Sequence, residues 1–108
     1  MRFFTDPKFG YIEAAAEGEE SELVAAFFVS EVQGSAENCD RLIERLERVK
    51  NGVVADADFS GDIHECSIEP DGVRIARWED GATCGVPLDT MLRYASDFLR
   101  LVETRAKK

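Results

Sequence analysis

The chain has 108 residues, 44% hydrophobic and 32% charged, with 22 acidic against 13 basic side chains and a formal net charge of -9. That length holds one domain, residues 1–108, and no second core, and the composition is that of a folded globular protein. So negative a field repels nucleic-acid phosphate and anionic lipid and attracts basic protein surfaces.

Taken in chain order, Phe3-Phe4 leads to a turn at Asp6-Pro7, and residues 10–16 hold an aromatic and a β-branched side chain, so both read as strands. Residues 17–21, Glu-Gly-Glu-Glu-Ser, have turn chemistry and no apolar side chain, and are predicted as a hairpin tip. Residues 23–32, rich in Val and Phe, are predicted as the longest strand. Apolar side chains on both parities there fit a strand buried on both faces, or a helix packing over it.

A helix is predicted from Ser35, a good N-cap, with Glu37 in the first turn where a carboxylate favours the dipole. Cys39, Leu42, Ile43, Leu46 and Val49 make its apolar stripe, and Asn51-Gly52 stops it. Residues 63–69 and 73–78 flank Glu69-Pro70-Asp71-Gly72, which is hairpin chemistry: proline presets the turn and glycine takes positive φ. Asp80-Gly81 marks a second turn, with a short strand at 82–86. Pro87 then opens a second helix, where its missing amide costs nothing. Leu88, Met91, Leu92, Ala95, Phe98, Leu99 and Val102 line its buried face, and Arg105, Lys107 and Lys108 complement its negative end.

The predicted order is β-β-β-α-β-β-(β)-α. It implies an α+β fold, an antiparallel β-sheet of about five to six strands with two helices packed on one face. The excess acid lies in the strand segments: residues 1–34 hold two basic against seven acidic side chains, and 53–86 two against eight. The helical segment 35–52 is balanced at four against four, and 87–108 has five basic against three acidic.

No catalytic motif competes with that charge pattern. GxGxxG, GxxxxGK[ST] and GxSxG are absent, and Asp56, Asp58 and Asp62 lack the spacing of a calcium loop. His64 and Cys66 would share one face of a strand, but the chain has no second histidine. No metal or cofactor is expected, and three cysteines without ligand spacing are expected to be reduced thiols. The longest uncharged apolar run, 23–29, is far below the roughly 20 residues of a membrane span. Residues 1–7 have no signal-like core. The expectation is a soluble cytoplasmic protein that binds neither nucleic acid nor membrane.

Several stretches carry a family resemblance. They are Phe28-Val29-Ser30-Glu31-Val32-Gln33-Gly34-Ser35, the helix end Lys50-Asn51-Gly52, Asp58-Phe59-Ser60-Gly61-Asp62 leading into Pro70-Asp71-Gly72-Val73-Arg74-Ile75, and the Pro87-Leu88 helix opening. In these the chain resembles the YacL-like immunity proteins of bacterial polymorphic-toxin and contact-dependent growth inhibition systems. The resemblance implies a non-enzymatic antitoxin that neutralises one cognate toxin domain, the C-terminal domain of a large exported effector. Many such toxins are nucleases, whose basic grooves an acidic inhibitor complements.

The partner-binding residues expected on this reading are Glu17, Glu19, Glu20, Asp58, Asp62, Glu65, Glu69 and Asp71, with Trp78 or Phe59 as apolar anchor. Two rival readings stand beside it. One is a YacL-type housekeeping protein without a toxin partner, and the other a small enzyme or metal protein using His64 and Cys66.

Overall fold

The computed structural model describes residues 1–106 and shows an α+β fold. Strands β1 (Arg2–Thr5) and β2 (Ile12–Ala15) form an antiparallel hairpin that stands apart as its own two-stranded sheet. Then come α1 (Glu22–Phe27), a π-helical stretch Phe28–Val32, and α2 (Ala36–Lys50). Strands β3 (Ala57–Asp58), β4 (His64–Glu69), β5 (Gly72–Arg77) and β6 (Thr83–Val86) make a second antiparallel sheet, each strand beside the next in chain order. Helix α3 (Leu88–Ala106) closes the chain. Lys107 and Lys108, expected to complement its dipole, lie outside the described residues.

Residues 23–32 differ from the strand expected there: they are helical, so three helices rather than two pack the core. Ser21 Oγ accepts from the Leu23 N–H at 3.1 Å and caps the helix. The π-helical stretch ends where the Gln33 N–H reaches Phe28 O at 3.0 Å, with Gln33 at φ 61°. Leu23, Val24, Phe27, Phe28 and Val32 recur at helical spacing and are buried, whereas Glu22, Val29 and Gln33 are exposed. One helix therefore buries on a single face what a strand would have to cover on two. Residues 17–21 correspondingly link β2 to α1, and the hairpin turns instead at residues 6–10.

Elsewhere local chemistry and structure agree. Ser35 Oγ accepts from the Asn38 N–H at 3.1 Å and starts α2, and Gly52 at φ 72° follows its end. Gly72 sits at φ 152° with the Val86 carbonyl 3.2 Å from where a Cβ would stand, so the β4–β5 turn requires glycine.

The core lies among the three helices and one face of the four-stranded sheet. Phe27, Phe28, Leu42, Ile75, Met91 and Phe98 are fully enclosed, each contributing roughly 1.5–3 kcal/mol by leaving water. Phe3 ties the small hairpin to this core, its ring edge-on to Phe28 and Phe98 at 5.2 Å each. Helix α1 touches β5 and β6 as well as β2, which places the hairpin across the helices from the large sheet. No helix among the described residues is long and apolar enough to cross a membrane.

Candidate interaction surface on the open sheet face

Strand alternation divides the large sheet into two chemically distinct sides. His64, Cys66 and Ile68 of β4 and Val73 and Ile75 of β5 are buried inward. The outward side carries Asp58, Ser67, Arg74 and Gly85 in one cross-strand row and Glu65, Ala76 and Thr83 in the next. Asp58, Glu69, Arg74, Thr83 and Gly85 are exposed and only the small Ala76 is buried there, so among the described residues no helix covers this side. Carboxylates outnumber the single arginine there.

One step beyond the His64–Arg77 pair the register sets Ile63 opposite Trp78, whose N–H donates to the Ile63 carbonyl at 3.1 Å. Both are large, apolar and open to solvent, Trp78 at 54% and Ile63 at 45%. Exposed Asp62 and Glu79 adjoin them in the chain, and outward Glu65 stands one row away. An apolar centre with a charged rim is the usual anatomy of a protein-binding patch, and tryptophan is a favoured anchor.

The structure thus brings six of the expected residues onto this face and its end turns: Asp58, Asp62, Glu65, Glu69, Asp71 and Trp78. Asp58 is fixed within its loop, its carboxylate accepting from the Ser60 N–H at 2.7 Å and the Ser60 hydroxyl at 3.0 Å. Among the described residues Asp62, Glu65, Glu69 and Asp71 make no ion pair.

Glu17, Glu19 and Glu20 lie elsewhere, in the β2–α1 connection. The Glu20 carboxylate is already engaged by the Met1 ammonium, the Tyr94 hydroxyl at 2.8 Å and the Glu17 N–H at 2.9 Å. Those contacts, the ammonium foremost, hold its pKa down to about 2. Phe59 is a correction: it is buried against Phe27 and beneath the Arg45 guanidinium, and belongs to the core rather than to an interface. Asp80 is likewise committed, its pKa held to about 2 first by the Arg77 hydrogen bond.

The residue that sequence reasoning missed is Glu31. Its side chain is only 5% exposed, and one oxygen, Oε2, faces three donors. They are the His64 N–H at 2.7 Å, His64 Nδ1 at 2.8 Å and the Ile63 N–H at 3.2 Å. The other oxygen packs where a Cβ on Gly61 would stand, so this approach demands glycine. Glu31 therefore pins the Ser60–Ile63 loop from inside, and Ile63 in turn fixes Trp78. A carboxylate alone in an apolar segment, in a chain with one histidine, is the signal that points to it.

His64 and Cys66 are both sealed in the core, at 1% and 0% exposed. Burial pushes the Cys66 thiol up to about 12, and Cys39, which donates to the Ala95 carbonyl at 3.2 Å, also to about 12. Thiols so placed stay protonated and weakly nucleophilic. Among the described residues no group of three His, Cys, Asp or Glu side chains is placed to hold a metal ion. Comparison with protein-family models, with curated proteins and with solved structures finds no match to this chain.

Proposed function

We propose that the protein is an immunity-type inhibitor that binds a basic toxin domain, a nuclease in the leading case, through the outer face of its four-stranded sheet. The observation that carries this reading is the exposed Ile63–Trp78 pair on an uncovered, acid-dominated sheet face. Trp78 inserts as the anchor, while Glu65, Glu69, Asp62 and Asp71 accept from arginine and lysine around a nuclease groove. Occlusion suffices for inhibition, so the protein needs no chemistry of its own. The family resemblance supports the same reading, since it implies a cytoplasmic protein whose partner is the C-terminal domain of an exported effector.

The test has a genetic and a kinetic arm. An immunity gene should lie directly beside a large effector gene, and co-production with that effector's C-terminal domain should protect growth. Trp78→Ala should weaken the complex at least ~30-fold, the effect of a central hot spot. Glu65→Lys combined with Glu69→Lys should slow association and flatten its dependence on salt. Protection that survives all three substitutions, or association indifferent to salt, would refute the reading. A neighbourhood without any effector gene would favour the housekeeping role instead.

A further inference from the structure

Across the helices from the acidic face, the β1–β2 hairpin carries a second exposed surface of different character. Phe9 and Tyr11 at its tip are each 65% exposed, with ring centroids 6.1 Å apart. The tip is built rather than loose: Asp6 Oδ1 accepts from the Lys8 and Phe9 N–H groups at 2.7 and 2.9 Å. The Asp6 N–H donates to Tyr11 O at 2.7 Å, and Gly10 closes the turn onto Asp6 O at 2.9 Å. Aromatic side chains held on a preset loop lose little freedom on docking.

Beside Tyr11 lies a hollow of about 340 Å³ lined by Tyr11, Ile12, Glu13, Val29, Gln33 and Arg105. Among the described residues neither Glu13 nor Arg105 makes an ion pair, although they border the same hollow. The patch thus sets an apolar centre between one free anion and one free cation.

We propose that this hairpin surface is the contact face of a symmetric dimer of the chain. A two-fold interface needs a patch complementary to itself. Here the Glu13 carboxylate of one copy meets the Arg105 guanidinium of the other, twice over, around the packed Phe9, Tyr11 and Val29 side chains. Lys8 and Arg105 suit this edge poorly to the basic partner inferred for the sheet, and the crossed Glu13–Arg105 pairs must offset the mutual repulsion of two chains of net charge -9. A second copy supplies the missing carboxylate. Because the hairpin sits across the helices from the open sheet, such a dimer leaves both sheet faces free, and the inference stands independently of the toxin reading.

Light scattering and sedimentation equilibrium over a concentration series test it. The wild-type chain should be dimeric at the upper concentrations, and Phe9→Ser with Tyr11→Ser should raise the dimer Kd at least ~10-fold. Both side chains are exposed, so an unchanged circular dichroism spectrum should accompany that loss. Glu13→Arg or Arg105→Glu alone should weaken the dimer, and the two together should restore it. A chain that stays monomeric at every concentration overturns the inference. So does a dimer indifferent to these changes, or a charge exchange that fails to restore it.

Discussion

Replacing Glu31 by alanine tests the inner support of the candidate surface. Oε2 of Glu31 is the acceptor for the His64 N–H and for His64 Nδ1, at 2.7 and 2.8 Å, and for the more exposed Ile63 N–H at 3.2 Å. Its removal strands two donors in a site where the His64 ring is 1% exposed, and where Nε2 already has no partner among the described residues. Each orphaned buried donor costs about 1–3 kcal/mol.

A small domain has only about 5–15 kcal/mol to lose, so Glu31→Ala should lower the urea midpoint by roughly 1–3 M. Gly61→Ala gives a second handle, because its new Cβ would clash with Glu31 Oε1 and drive the carboxylate from its donors. Urea melts of both single variants and the double variant form a cycle. In the double variant the clash has no target, so the two losses should fall well short of additivity. Emission from Trp78, the chain's single tryptophan, should shift in folded Glu31→Ala, because Ile63 no longer holds its backbone. An unfolding free energy for Glu31→Ala within about 0.5 kcal/mol of wild type, or strict additivity in the cycle, would refute this role of Glu31.

Three further outcomes follow from local chemistry. The folded chain holds Glu20 ionised down to about 2 against an ordinary value of 4.5. The unfolded chain therefore takes up that proton first, and the stabilisation is full above pH 4.5 and lost as pH falls through about 2. Glu20→Gln should flatten the acid limb of a stability–pH curve, leaving the part due to Asp80. Ser35→Ala should cost about 1 kcal/mol by removing the cap on the Asn38 N–H, read from the same urea melts. With a thiol reagent at neutral pH, half-exposed Cys84 should react well before buried Cys39 and Cys66.

The parts of the fold legible in the sequence are those whose cause is local. Pro70-Asp71-Gly72 encodes the β4–β5 turn, because glycine must take positive φ beside the Val86 carbonyl. Ser35 and Asn51-Gly52 bound α2 by supplying the polar group at one end and the left-handed residue at the other. The alternation from Ile63 to Glu69 also foretells which side chains face outward, so Glu65 and Glu69 are readable as surface acids. The two-residue β3 is not legible: it exists because Ala57 and Asp58 come to rest against Ile68 and Ser67.

Residues 22–32 show where local reading stops. Val and Phe favour strands by propensity, but propensity is a weak prior against the burial available to an amphipathic face. Packed between the β1–β2 hairpin and the large sheet, Leu23, Val24, Phe27, Phe28 and Val32 are buried as a helix. The same placement carries Glu31 inward to His64, more than thirty positions away in the chain. It also parts Glu17–Glu20 from the sheet acids, although the two groups look alike in sequence. Turns, caps and the sign of the charge are local properties, settled by the residues that carry them. Which acids share a face, and which single carboxylate is drawn inside, depend on distant segments meeting, and only the packed chain sets that.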